Sequence, residues 1–421
     1  MEAISKCMGN PSDSQSAQPT AATLVATTVV ATVAFLALSR IALWPQRQRI
    51  IRGPVTTSLP RIPKAERDKI VYTHDHFPGG RDVETPYGSI HVYEFGPEDG
   101  RKVLFVHGIS TSCMTLEDIV RPLAERGCRV MLFDLFGRGY SDAPGDVEYD
   151  SRLYTTQILL VLASSPLAWT GNNAFSIVGY SLGGGIAANF AAAFPHMVDT
   201  LILLAPAGII RPENFGRMTR LIFTSGIIPE RLLAYLTKRR LGKPIANSVA
   251  KRKPAAIASN GNANGNGTAS GPPQATSSSS ATGRETFEDA ALQEVVDPLD
   301  RPDAEPTATE KRVGEFVNWT IHHHDGFVPA FMSTVRFAPM LDQHEHWRKL
   351  ARRAPGTTAV LLGRHDTLVN KEDYAEDALP LLGGEGNVFW RVVPGGHNFP
   401  FTHPNKVVEQ IYEFWGWAQD S

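Results

Sequence analysis

Gly179-Tyr180-Ser181-Leu182-Gly183 stands between an apolar run, Phe175–Tyr180, and a stretch of small residues, Leu182–Ala193. A serine on a tight strand-to-helix turn is lifted clear of its sheet. Glycines Gly179 and Gly183 suit such a turn, because neighbouring Cβ atoms would clash in the strained backbone. Ser181 is therefore a candidate nucleophile toward a carbonyl carbon, with the amides that follow it aimed at the oxygen that becomes charged. A hydroxyl is a weak nucleophile at neutral pH and needs a base, which in turn needs an orienting acid. Two downstream residues meet that need in the order Ser…Asp…His. Asp366 closes Leu362-Gly363-Arg364-His365-Asp366, and His397 lies in Pro394-Gly395-Gly396-His397-Asn398. The pentapeptide pattern recurs by chance in many chains, and its setting between strand and helix is what gives it weight.

Other residues compete for these roles. Asp134 also ends an apolar run, but it precedes Ser181 and a glycine turn follows it, so it is better read as holding that turn. His365 adjoins Asp366 and leaves the base without a separate orienting strand, and His107 reads as a structural pin for the loop after it. His322-His323-His324-Asp325 and His344-x-His346 invite a metal reading, but adjacent helical histidines point apart, and HxxxH spacing is missing there. Arg138 sits in a Gly-rich loop without the lysine of a phosphate cradle, and Cys113 reads as a core thiol. Neither a metal nor an organic cofactor is expected.

Placing these residues requires a sheet. Strand candidates are Ile70–Thr73, Ile90–Glu94, Val103–His107, Arg129–Phe133, Phe175–Tyr180, Leu201–Ala205, Thr358–Leu362 and Val388–Val393. Several are continuous apolar runs, as strands buried on both faces should be. Helical segments Leu116–Glu125, Ser151–Ala163, Leu182–Ala193 and Asn405–Trp417 fall between or after them. The alternation predicts a doubly wound, mostly parallel eight-stranded α/β sheet. Ser181, Asp366 and His397 would all fall at its C-terminal edge, where open α/β sheets bind ligands. The core is expected over 70–209 and 353–421. Residues 210–352 break the alternation and read as an inserted helical cap, with helical pattern at Arg217–Leu241, Lys311–His323 and His344–Arg353. Within it, 254–310 is a low-complexity insert expected to be disordered, most plainly at Asn260–Ser280.

The N-terminal end carries a different signal. A polar tail, 1–19, precedes an uncharged run from Thr20 to Ser39, and the apolar character continues to Trp44. About 20 such residues match a bilayer core, so 20–44 is expected to be a membrane anchor despite five threonines. A basic linker, 45–69, follows. Eight basic residues between Arg40 and Lys69 against Glu66 and Asp68 would place the remainder in the cytosol, leaving Asn266 and Asn318 unglycosylated. Elsewhere the composition is that of a globular protein. A net charge of −2 argues against a nucleic-acid partner, and only three cysteines with no CxxC pair exclude a disulfide scaffold.

The assembled motifs resemble the α/β-hydrolase fold superfamily. The resemblance rests on His107-Gly108 after the third strand candidate, Asp134-Leu-Phe-Gly-Arg-Gly-Tyr-Ser-Asp142 after the fourth, the serine turn, and the later aspartate and histidine. It implies Ser181 as nucleophile, His397 as base then acid, Asp366 as orienting carboxylate, and the amides of Ile109 and Leu182 as an oxyanion hole. The expected activity is cofactor-free hydrolysis of carboxylic esters through an acyl-enzyme, on a small apolar or lipid-like substrate. Apolar cap residues Phe223, Phe316, Trp319, Phe327 and Phe331 favour such a substrate or simply pack the cap, and composition does not separate the two. Two alternatives stay open. Gly137–Asp142 resembles relatives that hydrolyse a carbon–carbon bond in a vinylogous diketone, and a non-catalytic binding protein could share the fold.

Overall fold

A computed structural model of the chain describes residues 21–43, 48–211, 228, 230–241, 295 and 306–417. Ten strands occur among these residues: β1 (Ile50–Ile51), β2 (Gly80–Thr85), β3 (Gly88–Phe95), β4 (Arg101–Val106), β5 (Cys128–Phe133), β6 (Ala143–Pro144), β7 (Phe175–Tyr180), β8 (Val198–Leu204), β9 (Thr358–Gly363) and β10 (Phe389–Val393). Eight form one sheet in the order β10-β9-β8-β7-β4-β5-β3-β2, and β1 pairs with β6 in a small antiparallel ribbon. From β10 to β5 all neighbours are parallel, while β3 joins β5 and β2 joins β3 in antiparallel register. The central strands β7 and β9 are buried at every residue, which is why their sequences are apolar without alternation. Helices Glu117–Glu125, Ser151–Ala163, Leu182–Ala193 and Pro404–Phe414 flank the sheet. Asp150 caps the second of these, its carboxylate accepting from the amides of Arg152 and Leu153.

The chain runs outward from β4 to β5 on one side and then returns to β7 on the other. Open α/β sheets bind ligands where strand order reverses in this way, here at the C-terminal ends of β4 and β7.

Several expectations need correction. Ile70–Thr73 is not a strand: Tyr72 is fully buried in an aromatic cluster, 4.8 Å from Phe316 edge to face and 5.4 Å from Tyr140. The eighth strand is instead β2, a polar edge strand without an apolar run. Beyond β8 come helices Glu230–Leu241, Ala308–His323, Phe327–Phe337 and His344–Leu350. Of the expected helix Arg217–Leu241, 217–227 and 229 lie outside the described residues, as do Phe223 and nearly all of the low-complexity insert.

The largest correction concerns the N-terminus. A 23-residue helix, Ala21–Leu43, does form there. Yet among the described residues no helix is long and apolar enough to cross a membrane. Its apolar residues are interrupted by threonines, and the hydroxyls of Thr27, Thr28 and Thr32 fold back onto backbone carbonyls of their own helix. The expected single-pass anchor, and the cytosolic orientation built on it, are withdrawn.

Candidate active site

Ser181 occupies the turn between β7 and the helix Leu182–Ala193, with φ 54° and ψ −118°. That left-handed conformation is costly for a residue with a side chain, on the order of 1–3 kcal/mol. It persists because the turn is held from several sides. The Ser181 carbonyl accepts from the amides of Gly184 (2.9 Å) and Ala207 (2.8 Å), and its own amide donates to Leu204. The flanking glycines are required by close approach. A Cβ on Gly179 would sit 2.2 Å from the Gly183 carbonyl oxygen, and one on Gly183 would sit 2.1 Å from that of Val106. The second contact presses the start of the helix onto the exit of β4, so Leu182 and Ile109 come from adjoining segments.

His397 lies in the loop after β10 and Asp366 in the loop after β9. Ser181 Oγ is 2.9 Å from His397 Nε2, and His397 Nδ1 is 2.8 Å from Asp366 Oδ2. Both the imidazole and the carboxylate are fully shielded from solvent. The second carboxylate oxygen accepts from the amides of Leu368 (2.9 Å) and Val369 (2.8 Å), which fixes the plane of Asp366. An Nδ1–H donated to Asp366 leaves the Nε2 lone pair facing the serine hydroxyl, the tautomer a base requires. The Tyr180 hydroxyl donates to the His397 carbonyl at 3.2 Å, tying β7 to the histidine loop. Asn398, the next residue, donates from Nδ2 to Glu310 Oε1 at 3.0 Å. Glu310 also closes a capping box with Thr307 at the start of the helix Ala308–His323.

The amide of Leu182 belongs to the first residue of its helix, so it has no helical acceptor four residues back. Ile109 follows His107-Gly108 at the end of β4. His107 is held in one tautomer: its Nε2 accepts from the amide of Leu135, and its Nδ1 donates to the Gly108 carbonyl, both at 2.9 Å. Arg138, fully buried, donates from Nε to the Ile109 carbonyl and from Nη2 to Thr334 Oγ1, each at 2.9 Å. The loop beside the serine is thus pinned by an imidazole below and a guanidinium above. Arg138 and Glu310 were not legible in these roles because the bonds to Ile109 and Asn398 each span more than 25 residues of chain.

Several other candidates are engaged elsewhere. Asp134 is fully buried and receives the amides of Cys113 (3.1 Å) and Tyr140 (3.0 Å), so it holds the turn that follows it. Cys113 is buried, and desolvation first, then Asp134, pushes its thiol well above the ordinary range. His324 bonds the Ser141 carbonyl while His322 bonds that of Asn318. Phe316 stacks on Trp319 and meets Tyr72, and Phe327 stacks on Phe331, so these cap aromatics are engaged in packing.

The family described as alpha/beta hydrolase fold matches residues 102–404. The chain belongs to the α/β-hydrolase fold family. Among curated relatives, a serine hydrolase-like protein of Dictyostelium discoideum is 35% identical over 147 residues, 34% of this chain and 40% of that one. A 2-hydroxymuconate semialdehyde hydrolase of a Pseudomonas species is 29% identical over 119 residues, 28% of this chain and 40% of its own length. The matches therefore span about two fifths of these relatives. Among solved structures, a carboxylesterase of Bacillus subtilis superposes with TM-score 0.52 at 15% identity, covering 83% of this chain and 96% of that one. That likeness is one of fold.

Proposed function

We propose that this hydrolase cleaves carboxylic esters of apolar substrates through an acyl-enzyme. The observation that carries the reading is the continuous hydrogen-bonded line from Asp366 through His397 to a serine held in a strained turn. In this reaction Ser181 Oγ attacks the ester carbonyl carbon as its proton passes to His397 Nε2. The carbonyl oxygen takes up the electron pair and is held by the amides of Leu182 and Ile109. Collapse of the tetrahedral species expels the alcohol, which takes the proton from His397. Water, deprotonated by the same nitrogen, then releases the acid and restores the serine. Asp366 orients the imidazole and stabilises the imidazolium.

Hydrolysis of a carbon–carbon bond in a vinylogous diketone is the second reading, favoured by the similarity to the semialdehyde hydrolase. The same serine would attack a ketone carbon, with a stabilised carbanion leaving in place of an alkoxide. A fluorophosphonate probe and product analysis on an ester and diketone panel test both. Labelling that is lost in Ser181→Ala, with release of alcohol and acid, supports the ester reading. Two carbonyl fragments from the diketone support the second. Absence of labelling and turnover on either class would leave a binding protein that shares the fold.

A further inference from the structure

His74, Asp82 and His91 lie at the far edge of the sheet from the β9 and β10 loops. Asp82 on β2 and His91 on β3 are direct cross-strand partners in the antiparallel register, so their side chains share a face. His91 Nδ1 is 2.7 Å from Asp82 Oδ1. His74, from the loop before β2, brings Nε2 to 3.1 Å from that same oxygen and 3.0 Å from Oδ2. The two imidazole rings sit 4.1 Å apart, and one donor atom from each of the three residues falls within 4.8 Å of the others.

We propose that these three residues bind one divalent transition-metal ion, with zinc the best chemical match. Two imidazole nitrogens and one carboxylate suit an ion of intermediate softness, and three protein ligands leave a fourth position for water. Bonds of about 2.0–2.1 Å in a tetrahedral shell put donor atoms roughly 3.3 Å apart. The separations of 2.7 and 3.0 Å here reach that value through side-chain rotations of a few tenths of an ångström. Access is one-sided. His91 is fully buried, with Tyr93 at 4.5 Å and Tyr140 at 5.6 Å around its ring, whereas Asp82 and His74 are each about one-third exposed. His91 Nε2 is buried without a polar partner, whereas Nδ1 faces Asp82, so Nδ1 is the atom available to an ion. Asp82 Oδ2 and the open side of His74 complete an approach from solvent. A bound ion would clasp the outermost strand to the loop before it, a structural staple remote from Ser181.

The test uses the full chain, stripped with a chelator and titrated with Co²⁺, whose visible absorption reports a tetrahedral nitrogen–oxygen shell. Zn²⁺ displacement and thermal denaturation provide the second and third readouts. One equivalent should bind with the tetrahedral spectrum, Zn²⁺ should bleach it, and the melting temperature should rise with Zn²⁺ concentration. His74→Gln, at a partly exposed position where folding is not at stake, should weaken Co²⁺ binding at least tenfold, and Asp82→Asn more. The paired change His322→Gln and His323→Gln should leave the spectrum intact. The proposal is overturned if wild type shows no tetrahedral spectrum, if His74→Gln binds as tightly as wild type, or if the His322 and His323 changes abolish binding instead.

Discussion

Two buried histidines in this chain each rest on an aspartate at nearly the same distance, His397 on Asp366 at 2.8 Å and His91 on Asp82 at 2.7 Å. Their surroundings differ in every other respect. The Asp366 carboxylate is fully shielded and spends its second oxygen on two backbone amides, whereas Asp82 is about one-third exposed and its oxygens meet a second imidazole. His397 Nε2 meets a serine hydroxyl, while His91 Nε2 is buried without a hydrogen-bond partner and its ring packs edge to face on Tyr93. An Asp–His pair therefore does not define a chemistry. The third partner, and the fixing of the carboxylate, decide whether the imidazole faces a proton to be moved or an ion to be held.

The comparison is broken most forcefully at the acid. Asp366→Asn should lower kcat for ester hydrolysis by three to four orders of magnitude, because an amide in place of the carboxylate favours the wrong imidazole tautomer. Steady-state kinetics with circular dichroism as a folding control would measure it, and a loss under tenfold would remove Asp366 from the proposed mechanism. A third carboxylate sharpens the contrast. Asp134→Asn should act on folding, at a cost of about 2–3 kcal/mol in urea unfolding, since an amide NH₂ must face the amide donors of Cys113 or Tyr140. Unchanged stability would show that the turn does not need its charge.

His324 shows what burial does to a histidine with no carboxylate bond. Desolvation holds its pKa down to about 4, against the partial support of the Ser141 carbonyl and Asp142. The unfolded chain takes up this proton near pH 6.5 and the folded chain does so only near pH 4, so stability falls as pH drops through that window and levels off below it. The contribution is on the order of 3 kcal/mol. In wild type, urea midpoints should decline between these limits, and His324→Gln should flatten that part of the profile. An identical slope in the variant would assign the acid sensitivity elsewhere. The smallest effect concerns the low-complexity insert. Deleting Asn260–Ser280, which has no apolar payload, should change melting temperature and turnover little, because loop length alters closure entropy by only a fraction of a kcal/mol. A large loss of either would mean that the segment folds against the rest of the chain.

The buried parallel strands were legible from sequence because burial on both faces leaves an unmistakable apolar run, and Phe175–Tyr180 falls where that run does. β2 was not, since its residues Arg81, Asp82 and Glu84 are those of an exposed edge, while Ile70–Thr73 looked like a strand only because Tyr72 belongs to a buried aromatic cluster. The helix Phe327–Phe337 was not among the expected segments; Pro329 falls in its first turn, where proline is tolerated. Ser181, Asp366 and His397 could be singled out because each follows an apolar strand. His74, Asp82 and His91 could not, because Asp82 and His91 meet only once a hairpin register is known. At the N-terminus, hydrophobic length alone overstated the case.

The bond between Glu310 and Asn398 bears on how this molecule can be taken apart. The carboxylate that steadies the loop of the candidate base belongs to the first turn of a helix that also supplies Phe316 to the packing around Tyr72. The sheet thus borrows part of the rigidity of its reactive edge from the helical segment laid over it. Grafting a foreign helical segment onto this sheet would remove that support, so exchanges of the segment need to keep Thr307 and Glu310 opposite Asn398.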